Sequence, residues 1–394
     1  MTTTLHNIPP VSWALLGVAI AGVLFMLLYG LRPLRRATRH EDQPMPDADA
    51  AKPKATVVIY CQSDEETLMN TLQAVCEQDY PDFDVVVVCD SGAEYASNIS
   101  EIVEQRWSNV YVTYVQPGSH NLSRLKLANT IGIKAAKGEV VLTTRANISI
   151  PSTGWLSGMM APFCGPQGKY IDIAFGLTHA DFNELHGPGR CYRRFDSLLN
   201  DTLWAGYAAM GHPYRGDGFN LALRRKAFFD NKGYANCMYL LYGEDDVYIN
   251  QICTPLNTRL VASPHTILTV HWGESARRMW SLHKAFHNFT RRWLPNAPFL
   301  RAGSVSLMQW LVTAAAVAAA LLGLPSVWPI VAASVTVALL WTADMLSYRK
   351  VAKLFGVNAA WWAAPLLWLR RPIANAIFKL AHLGTYKKNF TWQR

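Results

Sequence analysis

Apolar residues fall along the chain in two patterns: long uninterrupted runs near both ends, and short β-branched runs separated by helix-length polar stretches in between. Residues 11–31 form an uncharged run of about 20 residues, which at ~1.5 Å per residue crosses a hydrocarbon core of roughly 30 Å. Residues 305–324 and 327–346 repeat this pattern, with Pro325 and Pro329 marking a turn and Asp344, near one end, the only charge. They predict a membrane hairpin. Between the long runs, residues 56–60, 85–89, 110–115 and 139–143 read as buried strands, and residues 65–78 and 123–137 as helices. Strands alternating with helices predict an α/β domain with a mostly parallel sheet covered on both faces.

Two further stretches mix aromatic and basic residues at helical spacing. Residues 275–294 carry Arg277, Arg278, Trp280, His283, Phe286 and Trp293, and residues 359–383 carry Trp361, Trp362, Trp368, Arg370, Arg371 and Pro372. Both predict helices lying in a membrane interface. The expected organisation is an N-terminal anchor (1–39), a Pro-bearing polar linker (40–54), a globular domain (55–274), an interfacial helix (275–300), the hairpin (301–350) and an interfacial C-terminal segment (351–394). Arg32, Arg35, Arg36 and Arg39 follow the first span and Arg349, Lys350 and Lys353 follow the third. That bias predicts a multi-pass protein of the cytoplasmic membrane with its globular domain in the cytoplasm. The charges follow the first apolar run instead of preceding it, so an uncleaved anchor is expected.

Composition agrees with this picture: 51% of the 394 residues are hydrophobic. The net charge of +9 gathers beside the membrane segments, where anionic headgroups account for it and a nucleic-acid partner is not implied. Seven cysteines show neither C-x-x-C pairs nor zinc spacing, and free thiols are expected.

Ligands of parallel sheets bind beyond the C-terminal strand ends, here residues 62–65, 90–92 and 144–147. A Gly-rich turn, Gly216-Asp217-Gly218-Phe219-Asn220-Leu221, and an acidic cluster, Gly243-Glu244-Asp245-Asp246, follow in sequence. Such a carboxylate cluster suits proton acceptance.

In these motifs the chain resembles the family 2 glycosyltransferases of GT-A fold, in particular membrane-anchored bacterial members, over about residues 55–295. Thr56-Val57-Val58-Ile59 through Asp64-Glu65-Glu66, Gln78-Asp79-Tyr80-Pro81, the strand ending at Asp90, Ile131 through Gly138, and Arg215 through Tyr234 match the family's motifs in order. The resemblance implies a GT-A, Rossmann-like domain with transmembrane and interfacial helices. The implied reaction is inverting transfer of a sugar from a nucleotide-sugar donor to a lipid-linked or glycan acceptor, in polysaccharide or cell-envelope assembly. By resemblance Asp64 and Asp90 bind the donor nucleoside, Asn220, Arg224 and Glu244 lie on the acceptor side, and Asp245 or Asp246 is the general base.

The family's divalent cation, Mg²⁺ or Mn²⁺, sits on an Asp-x-Asp. Here that position reads Thr144-Arg145-Ala146-Asn147, so no metal ligands are assigned, and Arg145 with Asn147 is placed at the donor. Arg145 can fork onto a phosphate in the cation's stead. The alternative is a catalytically silent subunit that binds a partner or glycan in a polysaccharide assembly complex. Other departures are Ser63, where the family usually has Asn, and the incomplete Q-x-x-R-W frames His283-Lys284-Ala285-Phe286-His287 and Phe289-Thr290-Arg291-Arg292-Trp293. His271 is expected to be packed or solvated, Trp280 and Trp293 to be interface anchors, and Lys284 and His287 either to touch a diphosphate or to form a basic helix face.

Overall fold

The computed structural model describes residues 8–39, 51–62, 64–118, 122–382 and 390–391. Most of the expected linker and Ser63 lie outside the described residues. Among the described residues there are ten strands: β1 (Ala55–Cys61), β2 (Phe83–Cys89), β3 (Val110–Tyr114), β4 (Val140–Arg145), β5 (Ile148–Ser149), β6 (Ile173–Phe175), β7 (Thr178–Ala180), β8 (Leu221–Arg224), β9 (Thr258–Leu260) and β10 (Leu268–Val270). The first four stand within two residues of their sequence-based positions.

The main sheet runs β3-β2-β1-β4-β8-β6-β9, and a small second sheet runs β5-β10-β7. β1 pairs in parallel with both β2 and β4, so the chain reverses its direction of strand addition there, leaving a crevice beyond the strand ends. β8 is antiparallel to β4 and β6. Val58, Tyr60, Val86 and Val88 enter one buried layer; Val57, Ile59, Val85 and Val87 enter the other. Burial on both faces is why these strands read as continuous apolar runs. Gly132 faces Val58 so closely that a Cβ would lie 2.3 Å from its Cγ1, which lets helix Arg124–Ala135 sit directly on the sheet.

Among the described residues three helical segments are long and apolar enough to cross a membrane: Pro10–Thr38, Asn296–Leu322 and Val327–Leu354. The latter two extend beyond the apolar runs at the ends that meet the α/β domain, where Tyr348 and Val351 are buried and the Phe195 and Tyr348 rings approach to 5.0 Å. Ser12 donates to the Ala319 carbonyl at 2.6 Å, and Gln309 donates to both oxygens of Asp344 at 2.9 Å. Ser12, Gln309 and Asp344 thereby find partners within the helices, as a hydrocarbon surrounding would require.

A 22-residue helix, Pro188–Ala209, joins the α/β domain to the membrane helices. A Cβ at its Gly206 would fall 2.1 Å from the Pro33 carbonyl oxygen at the end of the N-terminal anchor. Backbone cannot yield as a flexible side chain can. Gly206→Ala should therefore cost about 1–3 kcal/mol through overpacking, measured as a lower midpoint of thermal unfolding in detergent; an unchanged midpoint would show that this junction does not bear on stability.

Candidate active site

One half of the crevice is formed at the ends of β1 and β2. Asp64 caps helix Glu65–Cys76, accepting from the Thr67 backbone N–H at 3.2 Å and its hydroxyl at 2.5 Å. Those bonds hold its pKa below the usual value and leave the exposed carboxylate at the rim. Asp90, at the end of β2, accepts from the Tyr60 hydroxyl at 2.5 Å and from Arg124 Nε, which fixes it at the switch point.

At the end of β4, Arg145 donates to Glu244 Oε1 at 3.0 Å and lies 4.0 Å over the Phe219 ring. The Gly-rich turn brings Phe219 there. Gly218 makes the approach possible, because a Cβ on it would meet Glu244 Oε1 at 3.0 Å. Asp217 is buried beneath, accepting from Thr178 Oγ1 at 2.6 Å and the Phe219 N–H at 2.9 Å. Burial raises its pKa, against those bonds.

The two adjacent acids of the cluster have different tasks. Asp246 is fully buried and accepts from Thr290 Oγ1 at 2.5 Å and His287 Nδ1 at 3.2 Å. His287 Nε2 lies 2.8 Å from Arg215, and since arginine only donates, that nitrogen must be the acceptor and the proton must sit on Nδ1. Burial and Arg215 lower the His287 pKa, consistent with this neutral ring. Burial alone would raise the Asp246 pKa, but His287, Thr290 and Arg215 outweigh it and hold it low. Asp245 instead faces the crevice with Arg215 at 3.8 Å. Burial and the neighbouring Asp246 charge push its pKa well above the usual carboxylate range, Arg215 opposing. Carboxyls split in this way are suited to separate roles.

Arg145, Asp217, Glu244 and Asp245 line one end of a cavity of about 840 Å³ that continues between helices Ala276–Thr290, Asn296–Leu322 and Ala364–Ala381. Its wall includes buried Arg145 Nε, Arg215 Nε, Glu244 Oε2, Trp272 Nε1 and His283 Nε2, none with a hydrogen-bond partner. Unsatisfied buried polar atoms on a cavity wall mark a place where a polar ligand completes the bonding. His283 is stacked between Trp272 and Tyr242, with centroids at 5.4 and 5.2 Å, and burial followed by Arg145 keeps it neutral. On the opposite wall, burial raises Asp201 to about 7.

Several sequence-predicted residues do not reach this cavity. Asn220 is fully buried, donating to the Leu177 and Thr266 carbonyls at 3.2 and 2.8 Å and accepting from Trp155 Nε1 at 3.1 Å. Arg224 bonds Glu139 and the Ile171 and Gly168 carbonyls; antiparallel β8 carries it to the opposite edge of the sheet. Both are corrected from acceptor contacts to scaffold. Asp246 likewise serves as an anchor, and Asn147 is spent on His271 through paired bonds at 2.9 Å. His271 is half-exposed, within 2.7 Å of Ser149 and 3.7 Å of Asp181. Trp280 lines the cavity beneath Lys284, at 4.8 Å, and Trp293 gives its carbonyl to Asn250. Helix Ala276–Thr290 buries Ala285, Phe286, Phe289 and Thr290, so one of its faces closes the site.

The family's divalent cation does not fit these residues. A guanidinium bound to Glu244 stands where a carboxylate ligand would be, and among the described residues no cluster of three or more His, Cys, Asp or Glu could hold a metal ion. Sequence reasoning passed over Asp217, Arg215, Asp201 and Asp196 as site residues. Asp217 lay within a motif already singled out, whereas Asp196 and Asp201 lie on a helix that no motif marked.

Residues 53–148 match the family model described as "Glycosyltransferase like family 2". Among solved structures, the chain is similar to the mannosyltransferase PcManGT from Pyrobaculum calidifontis in complex with GDP-Man and Mn²⁺, at 19% identity and TM-score 0.52, covering 92% of this chain and 99% of that one. It is also similar to S. aureus TarS 1-349 in complex with UDP-GlcNAc (16% identity, TM-score 0.41, 82% and 92% covered) and to Mycobacterium tuberculosis glucosyl-3-phosphoglycerate synthase with Mn²⁺, UDP and glucosyl-3-phosphoglycerate (11%, TM-score 0.37, 59% and 77% covered). No curated protein sequence matches the chain. The fold is that of the GT-A glycosyltransferases, and the match to the glycosyltransferase family 2-like model covers residues 53–148.

Asn220→Ala should unfold more readily, by about 1–3 kcal/mol for each partner left unpaired, while the folded fraction keeps its acceptor KM. A raised KM without loss of stability would return Asn220 to the acceptor side.

Proposed function

We propose that the protein is a membrane-bound, inverting glycosyltransferase that moves a sugar from a nucleotide-sugar donor to a lipid-linked or glycan acceptor at the inner face of the cytoplasmic membrane. The observation that carries this reading is the position of Asp245: a carboxyl of raised pKa on the wall of a cavity that continues along helix Asn296–Leu322, which is long and apolar enough to cross a bilayer. Asp64 and Asp90 hold the nucleoside. The acceptor hydroxyl gives its proton to Asp245 as its oxygen bonds to the anomeric carbon, and the bond from that carbon to the nucleoside diphosphate breaks. Charge developing on the leaving diphosphate meets Arg145, whose free Nε supplies a donor, with Arg215 beside Asp245 adding fixed positive potential. Glu244 holds the Arg145 fork in place. A membrane-confined acceptor is matched by a site that opens toward membrane helices, and the Lys/Arg bias around the spans sets the domain on the cytoplasmic side. The reading extends to a role in cell-envelope polysaccharide assembly.

The decisive test is Asp245→Asn, assayed with a panel of nucleotide sugars in membranes. Turnover should fall by about 10²–10⁴-fold with nucleotide binding retained. The ionised form is the active one, so the raised pKa means that kcat/KM falls as pH drops through a value above the ordinary 3.8. Arg215 lowers that pKa, so Arg215→Gln should move the acid limb to higher pH. An acid limb that stays put in this variant counts against Asp245 as the base.

The Arg145–Glu244 ion pair across the strand end is the observation favouring a second reading, a silent subunit whose crevice is closed by its own charges. Turnover unaffected by chelator and reduced about 10²–10³-fold in Arg145→Ala supports the enzyme with an arginine clamp. Loss of activity in chelator, restored by Mn²⁺ or Mg²⁺, sinks the clamp, and absence of any nucleotide binding favours the silent subunit.

A further inference from the structure

Lys126 is a buried titratable group to which the proposed reaction gives no task. It lies in the first turn of helix Arg124–Ala135, fully buried, and its Nζ donates to the Leu240 carbonyl at 2.8 Å and the Tyr242 carbonyl at 2.5 Å. An amine withdrawn from water is costly unless its N–H groups are bonded, and here the bonding partners are carbonyls, not carboxylates. Burial lowers its pKa, while Cys237, Glu244, Asp246 and Asp245 act to raise it. Three of those four groups belong to the acidic cluster.

The residues around Lys126 bond the same segment. Ser123, which caps this helix, donates its hydroxyl to the Leu241 carbonyl at 2.7 Å and its N–H to the Met238 carbonyl at 3.2 Å. The Leu241 N–H in turn donates to the Phe390 carbonyl at 2.9 Å. Residues 238–242 are therefore fastened just before Gly243, whose φ of +115° suits glycine and strains other residues. The chain turns there, bringing Glu244 to Arg145 and Asp245 to the cavity. Beyond the turn the Asp245 carbonyl accepts from the Gly216 N–H at 2.7 Å, so Asp245 stands between two fixed points, one of them made by Lys126. Two residues before Lys126, Arg124 serves the other half of the crevice: its Nε bonds the Asp90 carboxylate, and its Nη2 donates to the Asp90 carbonyl at 3.0 Å. A single helical turn thus grips the end of β2 with one basic residue and the approach to the acidic cluster with another.

We propose that Lys126 is a positioning residue: by gripping residues 240–242 it sets where Asp245 stands relative to a donor held at Asp90. This rests on the glycosyltransferase reading for what Asp245 does, and it adds to that reading a residue that acts without touching substrate.

The test is Lys126→Met in the full chain in membranes, a substitution that keeps an unbranched apolar stem and removes both bonds. Binding of a labelled nucleoside diphosphate counts the folded sites, and turnover of the nucleotide sugar that is active in the panel is expressed per site. Turnover per site should fall about 10–10²-fold, the effect of a reacting group displaced by about 1 Å, with nucleoside diphosphate affinity unchanged. In an Asp245→Asn background the same substitution should cost less than about twofold, because it acts through a group already removed. Ser123→Ala, which frees the Leu241 carbonyl and keeps the lysine, should lower turnover per site by a smaller factor, and it carries the test if Lys126→Met does not fold. Hydrogen exchange of residues 238–246 should quicken in either variant. Fewer sites with unchanged turnover per site, an equal loss in the Asp245→Asn background, or a matching loss of nucleotide affinity would each overturn the assignment. Full turnover in Asp245→Asn alone defeats the base reading instead, and the exchange measurement, which needs no turnover, then decides whether Lys126 holds the segment. With Asp245→Asn inactive and Lys126→Met fully active, this inference alone falls.

Discussion

The buried carboxylate of Asp246 is the point on which the site depends. It ties the acidic loop to helix Ala276–Thr290 through Thr290 and His287, and Arg215 extends the chain of bonds from the far side of the imidazole. Because that helix also carries His283 and Lys284, fixing it fixes one wall of the cavity along its length. The same carboxylate acts on its neighbour electrostatically. An ionised Asp246 beside a buried Asp245 makes the second ionisation costly, so the group that anchors the helix also sets the proton affinity of the group that faces the cavity. An arrangement in which both acids pointed at the substrate would lack the anchor and the asymmetry together.

Charge balance in the cavity follows from the arginine at the end of β4. A carboxylate there would need a cation beside Glu244 and Asp217, whereas Arg145 neutralises Glu244 directly and rests on Phe219. Arg215 does the same between Asp245 and Asp201, both of which act on its charge. Guanidinium groups therefore carry the positive charge at this end of the cavity. The buried Asp217, with its raised pKa and its bonds to Thr178 and Phe219, keeps the Gly-rich turn in the shape that presents Phe219 to Arg145.

Much of the fold was legible in the sequence because β1, β2 and β4 are buried on both faces and so appear as unbroken apolar runs. The strand ends marked Asp90 and Arg145 for the same reason. Short strands were not legible: β6, β7, β9 and β10 have three residues each, too few for a period to register. The direction of β8 had the largest consequence. Read as one more strand leading toward the crevice, it would bring Arg224 to the acceptor, but its antiparallel pairing with Val140 sends that side chain to the opposite edge. Asn220 misled for another reason, since an amide that satisfies three buried groups and one that binds a sugar look alike without their partners.

The C-terminal helix makes contacts that its composition did not disclose. Arg370, Arg371 and Pro372 in the middle of an aromatic, apolar segment argued against a span, and Ala364–Ala381 is not among the helices apolar enough to be one. What the pattern could not convey is that Arg371 turns inward to a carboxylate on Pro188–Ala209, while Arg370 lies over the Tyr192 ring at 4.8 Å. Both arginines thus bind this helix to the α/β domain. Helix Pro188–Ala209 meets the anchor at Gly206, lines the cavity at Asp201 and reaches the C-terminal helix at Asp196. One helix therefore links the N-terminal apolar segment, the Asp201 side of the cavity and the C-terminal helix.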